Sequence, residues 1–228
     1  MFAIAIDGPA GAGKSSVAKA AAGVLDFTYV DTGALYRTIA LHMLETGVDL
    51  TNPAAVSAAL PGVEISLEYG PEGQRTLLQG RDVSEEIRTQ EVSMATSRWV
   101  SHIPKVREFL VDLQRGLAEK ANVIMDGRDI GTVILPGAQL KIFLTASSEE
   151  RARRRTAQLE QAGEPADFRQ VLSQVVQRDR QDQEQLALTA PDTVTLDTTG
   201  LDFSQVVEAV VALARERMDQ PRKGEPRN

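Results

Sequence analysis

The feature that most constrains this chain is a glycine-rich loop near its N-terminus, Gly8-Pro-Ala-Gly-Ala-Gly-Lys-Ser15, with the spacing G-x-x-x-x-G-K-[ST]. The loop follows a short apolar run, Phe2–Ile6, and precedes a helical pattern. Glycines let the backbone N–H groups point inward, the helix N-terminus adds partial positive charge, and Lys14 adds a full charge. The sequence therefore predicts a phosphate-binding loop (P-loop) formed by Gly8, Pro9, Ala10, Gly11, Ala12, Gly13, Lys14, Ser15 and Ser16.

The rest of the chain alternates short apolar runs with longer helical patterns. The runs predict strands at Phe2–Ile6, Thr28–Val30, Asn122–Met125, Leu140–Leu144 and Thr193–Leu196. The patterns between them predict helices at Lys14–Leu25, Ala34–Glu45, Ser84–Ser101, Pro104–Lys120, Ser148–Gln161, Asp167–Gln185 and Phe203–Met218. Strands that alternate with helices need crossover connections, so we expect an α/β fold with a mostly parallel sheet flanked by helices.

Two segments depart from this alternation and are predicted to be insertions. Residues Val63–Gln79 alternate polar and apolar side chains around a Gly70-Pro-Glu-Gly73 turn, which predicts an antiparallel hairpin. Residues Arg153–Phe168 are rich in arginine and then contain a glycine and a proline, and we interpret them as a mobile flap. The polar residues 219–228 are predicted to be a disordered tail.

The charge balance disfavours polyanionic partners. The 32 acidic and 25 basic residues give a formal net charge of -7, which argues against nonspecific binding to nucleic acid or to an anionic membrane. Of the basic residues, 19 are arginine and 6 are lysine, and the planar fork of arginine suits bidentate contact with phosphate. The chain has no cysteine, no long apolar run and no signal-peptide pattern, so we expect a cytoplasmic protein.

The ends of two predicted strands carry the residues that narrow the function. Asp126 follows the strand at Asn122–Met125, and with Ser15 it is placed to hold Mg²⁺ beside a bound nucleotide, although a strand-end turn also accounts for an aspartate there. The N-K-x-D motif of GTPases and the L-S-G-G-Q signature of transport ATPases are absent. The small size of the chain and a second strand that ends in Asp31-Thr-Gly33 favour transfer of phosphate to a small acceptor.

Five motifs together carry a specific family resemblance. They are Ile6–Ser16 (IDGPAGAGKSS), Asp31–Arg37 (DTGALYR), Glu86–Val92 (EIRTQEV), Pro104–Arg107 (PKVR) and Asp126–Thr132 (DGRDIGT). With this combination, residues 2–217 resemble the bacterial-type cytidylate kinases, which phosphorylate CMP and dCMP. The resemblance implies one P-loop kinase domain over residues 1–218. It has a P-loop NTPase core (1–36, 120–150 and 169–218), a nucleoside-monophosphate-binding lobe with the hairpin (about 37–119) and a short lid (about 151–168).

The resemblance also implies how the acceptor is bound. Its implied contacts are Arg37 and Arg128 for the acceptor phosphate, Ser97, Arg107 and Asp129 for cytosine with Thr32 nearby, and Arg178 and Asp182 for the ribose hydroxyls. A carboxylate, an arginine and a hydroxyl can together satisfy the amino group, ring nitrogen and carbonyl of cytosine. An unpaired buried partner costs about 1 to 3 kcal/mol, which disfavours uracil.

Simpler interpretations of these residues stay open. Ser97 also fits a surface hydroxyl on a helix, and Arg107 fits a solvated helix charge. Arg128 and Asp129 fit a local ion pair.

The ribose side departs from the family pattern. Arg178 and Asp182 share a helix face, but the same i,i+4 spacing fits a plain ion pair. Where the family usually has an arginine three residues after that aspartate, this chain has Gln185. We therefore expect binding on the ribose side of the acceptor pocket to be weakened.

Arg151, Arg153, Arg154 and Arg155 crowd one helical segment. We interpret them as a lid that closes over ATP, with a solvated helix face as the alternative. Lys14, Arg128 and one of the pair Arg153 and Arg154 are the predicted catalytic groups, because phosphoryl transfer depends on positioning and charge stabilisation. Another P-loop kinase, with UMP, AMP, shikimate or a sugar acid as acceptor, stays open, as does a noncatalytic nucleotide-binding module. We expect a monomer whose partners are small nucleotides.

Overall fold

The chain divides into two units in the computed structural model. The larger unit comprises residues 1–28 and 121–228, and the smaller unit is Tyr29–Lys120. The structure describes residues 1–70, 73–161, 163–187 and 189–220, without the side chains of Glu184 and Gln185. The central turn of the predicted hairpin (71–72) and most of the predicted tail (221–228) lie outside these residues.

The described part of the chain combines strands and helices, as predicted for an α/β fold. The strands are β1 (Ala3–Asp7), β2 (Thr28–Asp31), β3 (Ile65–Gly70), β4 (Gly73–Leu78), β5 (Arg81–Asp82), β6 (Val123–Gly127), β7 (Leu140–Thr145) and β8 (Val194–Asp197). The helices are α1 (Lys14–Leu25), α2 (Thr32–Glu45), α3 (Pro53–Ala59), α4 (Gln90–Arg98), α5 (Pro104–Lys120), α6 (Ser148–Gln161), α7 (Phe168–Gln181), α8 (Gln183–Leu186) and α9 (Phe203–Asp219).

A five-stranded sheet has the strand order β2-β6-β1-β7-β8. Its central strand β1 runs parallel to β6 and β7, and β7 runs parallel to β8. Ile4, Ala5 and Ile6 of β1 have no exposed surface, which explains the continuous apolar run in place of an alternating pattern. The predicted α/β class with a parallel sheet is confirmed.

The register of this sheet decides which residues meet at its carboxyl edge. Ile6 pairs with Asp126, and Asp7 pairs with Gly127 on one side and Phe143 on the other. The loop that follows β1 therefore begins beside the end of β6. This is the edge at which open parallel sheets bind their ligands.

The smaller unit contains an antiparallel sheet packed with helices. β3 and β4 pair as the predicted hairpin, from Ile65 opposite Leu78 to Gly70 opposite Gly73. The two-residue strand β5 adds to β4, and this third strand and the short helix α3 were not predicted. The core of the unit includes Leu35, Ile39, Met43, Ile87 and Leu110, all almost fully buried.

The single helix predicted over Ser84–Ser101 is wrong. That segment contains a 3₁₀ turn at Glu86–Arg88, then α4, then a second 3₁₀ turn at Val100–His102. The reason lies in two short polar side chains. Ser84 bonds to Asp82 and to the Thr76 N–H in the adjacent sheet, and the Thr89 side chain accepts from Val92 N–H as the N-cap of α4.

The prediction of a flap over Arg153–Phe168 is wrong for its first half. Its arginine-rich half belongs to α6, which is continuous over Ser148–Gln161 and packs on α7 through Ala152, Val171 and Val175. Asp167 then caps α7 by accepting from two backbone N–H groups at 2.7 and 3.2 Å. The helix predicted over Asp167–Gln185 ends at Gln181. The division into core, lobe and lid stays a prediction.

Asp219, predicted to open the tail, is the last residue of α9. None of the helices in the described residues combines the length and the apolar character needed to cross a membrane.

Gly8 provides a test of how closely β1 and β7 approach each other. Its φ is 146°, and a Cβ at this position would lie 2.0 Å from the backbone oxygen of Leu144 in β7. We therefore expect Gly8→Ala to lower the free energy of unfolding by about 2–5 kcal/mol, measured by urea denaturation. Gly23→Ala in α1, where nothing lies within 4 Å of the added Cβ, is the control and is expected to add about 1 kcal/mol. A Gly8→Ala protein as stable as the unsubstituted one would contradict the prediction.

Candidate active site

The P-loop has the backbone geometry of a phosphate cradle. Gly11 and Gly13 have φ angles of 76° and 88°, a left-handed region that glycine adopts without strain. Gly13 is the N-cap of α1, and no side chain in the described part of the chain caps this end of the helix. The first N–H groups of α1, which have no partner within the helix, are therefore suited to bind an anion.

Lys14 is buried at the start of α1. Its Nζ donates a hydrogen bond to the Pro9 carbonyl at 2.8 Å. Burial and the nearby positive charge of Arg128 lower the pKa of Lys14 to about 7, although Asp126, Asp7 and Asp182 favour its charged form. Phosphate oxygens in the loop would therefore stabilise a lysine charge that the protein alone supports poorly.

The two residues predicted to hold Mg²⁺ are brought together. Ser15 Oγ in the first turn of α1 donates to Asp126 Oδ2 at 2.8 Å. The contact follows from the sheet register, because Asp126 lies beside Ile6 and the P-loop begins two residues after Ile6. A hydroxyl and a carboxylate are hard oxygen ligands, and Mg²⁺ beside phosphates uses one or two carboxylates with waters and phosphate oxygens. The residues present fit this ion.

Asp7 is a residue that the sequence analysis missed. Its carboxylate accepts backbone N–H groups from Ile130 and Gly131, each at 2.8 Å, and so fastens the segment after β6 to the end of β1. Burial raises the pKa of Asp7 to about 6, although the two N–H groups favour the carboxylate. An aspartate between a buried strand and a P-loop is the signal that could have identified it.

Arg128 and the predicted ribose pair also come together in the larger unit. Asp182, only 4% exposed, accepts from Arg128 Nε at 2.8 Å and from Arg178 Nε at 3.3 Å. Burial raises the pKa of Asp182, but the two guanidinium groups outweigh it and hold the pKa below its usual value. The ion pair of Arg178 with Asp182 exists, and its carboxylate is buried. Asp129 is buried just before the turn that begins at Ile130.

The arginines of α6 have different surroundings. Arg153 is exposed and pairs with Glu150 at 2.8 Å. Arg154 also pairs with Glu150, at 3.1 Å, and donates to both the hydroxyl and the carbonyl oxygen of Thr198. Arg155 is exposed, whereas Arg151 is buried. Of the four arginines predicted to form a lid, Arg151 therefore cannot act as a free surface charge.

In the smaller unit, Asp31 organises the start of α2. It accepts from Arg37 at 2.8 Å and from Arg88 at 3.4 Å, and it caps the helix at Ala34 N–H. The Asp31 N–H in turn donates to Gln74 on the hairpin at 2.9 Å. Thr32 is the buried first residue of the same helix. Asp31, Arg88 and Gln74 were not predicted as site residues, although the first two lie inside motifs that carry the family resemblance.

Two of the residues predicted to bind cytosine, Ser97 and Arg107, lie in this unit. Both contact the short segment Ser101–His102 between their helices. Ser97 is on α4 and its hydroxyl donates to the Ser93 carbonyl at 3.0 Å. Arg107 on α5 donates to the Ser101 carbonyl at 3.2 Å and lies over the ring of Tyr36. His102 Nε2 lies 2.9 Å from the Ser97 carbonyl. The grouping of these residues with Asp129 and Arg128 around one acceptor stays a prediction.

The chain is similar to known proteins over nearly its whole length. The family model described as cytidylate kinase matches residues 4–216. A cytidylate kinase of Desulfitobacterium hafniense is 47% identical over 219 residues, which cover 95% of this chain and 94% of that protein. One from Caldanaerobacter subterraneus subsp. tengcongensis is 49% identical over 216 residues, which cover 93% of this chain and 94% of that protein.

A solved structure supports the fold alone. An uncharacterized protein from Eubacterium ventriosum superposes with a TM-score of 0.52 at 14% identity, covering 94% of this chain and 98% of that one. The family model and the curated relatives decide the family: the chain belongs to the cytidylate kinase family, and the prediction that it is an ATP-dependent phosphotransferase is confirmed.

Proposed function

We propose that the protein transfers the γ-phosphoryl group of MgATP to CMP or dCMP by direct in-line transfer, giving ADP and CDP or dCDP. The observation that carries the proposal is the set of groups at one edge of the sheet. There, the P-loop, Lys14 and the Ser15–Asp126 contact lie in the same unit as the Arg128–Asp182 pair. Membership of the cytidylate kinase family supports the choice of acceptor.

The P-loop binds the donor phosphates. Its N–H groups and Lys14 would face the β and γ oxygens, and Ser15 and Asp126 would hold the ion. When bound, Mg²⁺ would neutralise phosphate charge. The phosphate oxygens then stabilise the positive charge of Lys14, which burial disfavours.

The acceptor phosphate is held by Arg37 and Arg128. Each of these arginines already has a carboxylate partner, Asp31 and Asp182 respectively, which holds the guanidinium group oriented. Asp182 with Arg178 binds the ribose, whereas Ser97, Arg107 and Asp129 bind cytosine, with Thr32 nearby. The protein groups hold donor and acceptor in line, which can lower a barrier by about 7–11 kcal/mol.

Charge stabilisation completes the transfer. Arg128 and a lid arginine, Arg153 or Arg154, face the three oxygens of the transferring phosphoryl group. Arg153 is the freer of the two, because Arg154 is bonded to Thr198 as well as to Glu150. We also expect the enzyme to act as a cytoplasmic monomer without nucleic-acid or membrane partners, in keeping with its net charge of -7.

A panel of acceptors tests the function. ADP release is measured with ATP and Mg²⁺ in the presence of CMP, dCMP, UMP, AMP or shikimate, and without acceptor. Turnover with CMP or dCMP that exceeds turnover with UMP by about tenfold or more supports the proposal. Equal or greater turnover with another acceptor would assign a different kinase. ATP hydrolysis without any acceptor would indicate an ATPase, and no ADP release under any of these conditions would favour a noncatalytic nucleotide-binding module.

Two charge-removing substitutions test the machinery. We expect Lys14→Ala and Arg128→Ala each to lower kcat by about 10²-fold or more, because each removes a charge from the phosphates in the transition state. Circular dichroism and urea unfolding check that both proteins are folded. Lys105→Ala, which removes an exposed lysine paired with Glu108, is the control with unchanged turnover. Turnover close to that of the unsubstituted enzyme in either test variant would refute the assignment.

The Arg128–Asp182–Arg178 cluster predicts a pH-dependent contribution to stability. Because the folded protein holds the pKa of Asp182 below its usual value, the stabilisation is present above about pH 4 and is lost as the pH falls through the folded pKa. We expect Asp182→Asn to lower the free energy of unfolding by about 1–3 kcal/mol at pH 7, with a smaller difference at pH 3. Asp112→Asn, at an exposed position of α5, is the control. A loss that is the same at both pH values would contradict the prediction.

A further inference from the structure

Arg151 has the most complete set of partners among the α6 arginines. It is 4% exposed and its guanidinium group makes four hydrogen bonds. Nε donates to the Ala146 carbonyl at 3.0 Å, and Nη1 donates to the Ala10 carbonyl at 2.9 Å and to Asp179 Oδ1 at 2.9 Å. Nη2 donates to Asp179 Oδ2 at 2.6 Å. One side chain thus connects the end of β7, the P-loop and α7.

The arrangement depends on the shape of the guanidinium group. A planar fork can make two parallel bonds to the Asp179 carboxylate and still present further N–H groups to carbonyl oxygens. Asp179 therefore both compensates the buried charge and fixes the plane in which the remaining donors lie. A lysine at this position would place the same charge in the site but could not reach these acceptors in one plane.

The contact with Ala10 bears on the orientation of the P-loop amides. In a planar trans peptide, the carbonyl and the next N–H point in opposite directions. With the Ala10 carbonyl directed to Arg151, the Gly11 N–H lies in the same peptide plane and points in the opposite direction, away from Arg151. Gly11 has a φ of 76°, and a Cβ built on it would lie 3.5 Å from the Arg151 Cβ, so the loop packs closely on this side chain.

The same turn of α7 serves the acceptor arginine. Asp179 follows Arg178 directly. Asp182, the C-cap residue just after α7, accepts from both Arg178 and Arg128. The carboxylate that aligns Arg151 and the carboxylate that aligns Arg128 are therefore three residues apart.

We propose that Arg151 is a positioning residue that holds the Ala10–Gly11 peptide with its N–H available to the donor phosphates, and that Asp179 aligns Arg151 for this purpose. The proposal rests on the proposed function only in taking a nucleotide phosphate as the ligand of the P-loop. It removes Arg151 from the lid arginines that approach the transferring phosphoryl group.

Four proteins test the proposal: Arg151→Gln, Arg151→Lys, Asp179→Asn and the double variant Arg151→Gln with Asp179→Asn. MgADP binding is measured by calorimetry, and kcat and the KM values for ATP and CMP are measured separately. The exposed pair of Arg75 with Asp82, joined at 2.9 Å, provides matched controls as Arg75→Gln and Asp82→Asn.

We expect Arg151→Gln and Asp179→Asn to weaken MgADP binding and to lower kcat by about 10- to 100-fold, with KM for CMP nearly unchanged. Arg151→Lys should recover little, because the planar fork and not the charge alone is required. The double variant should lose less than the product of the two single losses, since each single substitution already breaks the same contact. The Arg75 and Asp82 variants should bind MgADP normally.

Several results would overturn the proposal. Normal MgADP binding in Arg151→Gln and Asp179→Asn, with only a lower free energy of unfolding, would make the cluster purely structural. Full recovery in Arg151→Lys would mean that charge alone matters. If Arg151→Gln does not fold, Asp179→Asn alone decides by the same measurement. MgADP binding does not depend on the acceptor, so an enzyme inactive with CMP would refute the proposed function and leave this result standing.

Discussion

The parallel register between β1 and β6 is the constraint on which the site depends. It sets Ile6 beside Asp126 and Asp7 beside Gly127, so the P-loop and the loop after β6 begin at the same point of the sheet edge. The Ser15–Asp126 contact and the bonds from Ile130 and Gly131 to Asp7 follow from this placement. A shift of one residue would turn Asp126 to the other face of the sheet and separate it from Ser15.

Paired charges prepare the protein for a ligand that carries several negative charges. Arg37 is paired with Asp31, Arg128 with Asp182 and Arg151 with Asp179. Each carboxylate reduces the repulsion among buried or half-buried cations and fixes a guanidinium orientation before a phosphate arrives. The net charge of -7 is therefore compatible with binding of small phosphorylated ligands, because such ligands meet individual, oriented arginines and need no extended basic surface.

The sequence was sufficient where the determining interactions are local. The P-loop spacing, the apolar run of β1 and the limits of α5 and α6 were predicted from residues adjacent in the chain, and the structure has those helices at Pro104–Lys120 and Ser148–Gln161. Prediction failed where the conformation of a residue depends on a hydrogen-bond partner that is distant in the sequence. Ser84 accepts a hydrogen bond from the Thr76 N–H in a neighbouring strand and does not continue a helix. The two backbone N–H groups that donate to Asp7 are more than a hundred residues away in the sequence.

The arginines of α6 show why residue type alone did not separate structural from functional charges. Arg151 and Arg155 are four residues apart and therefore on nearly the same face of the helix, yet the first is buried and the second exposed. Their difference follows from position along the helix. The first turn of α6 lies against the end of β7 and the P-loop, where Ala146 and Ala10 offer carbonyl oxygens. One turn later Arg155 is exposed to solvent. A helix that leaves a sheet edge thus contributes positioning groups from its first turn and candidate lid groups from the turns beyond.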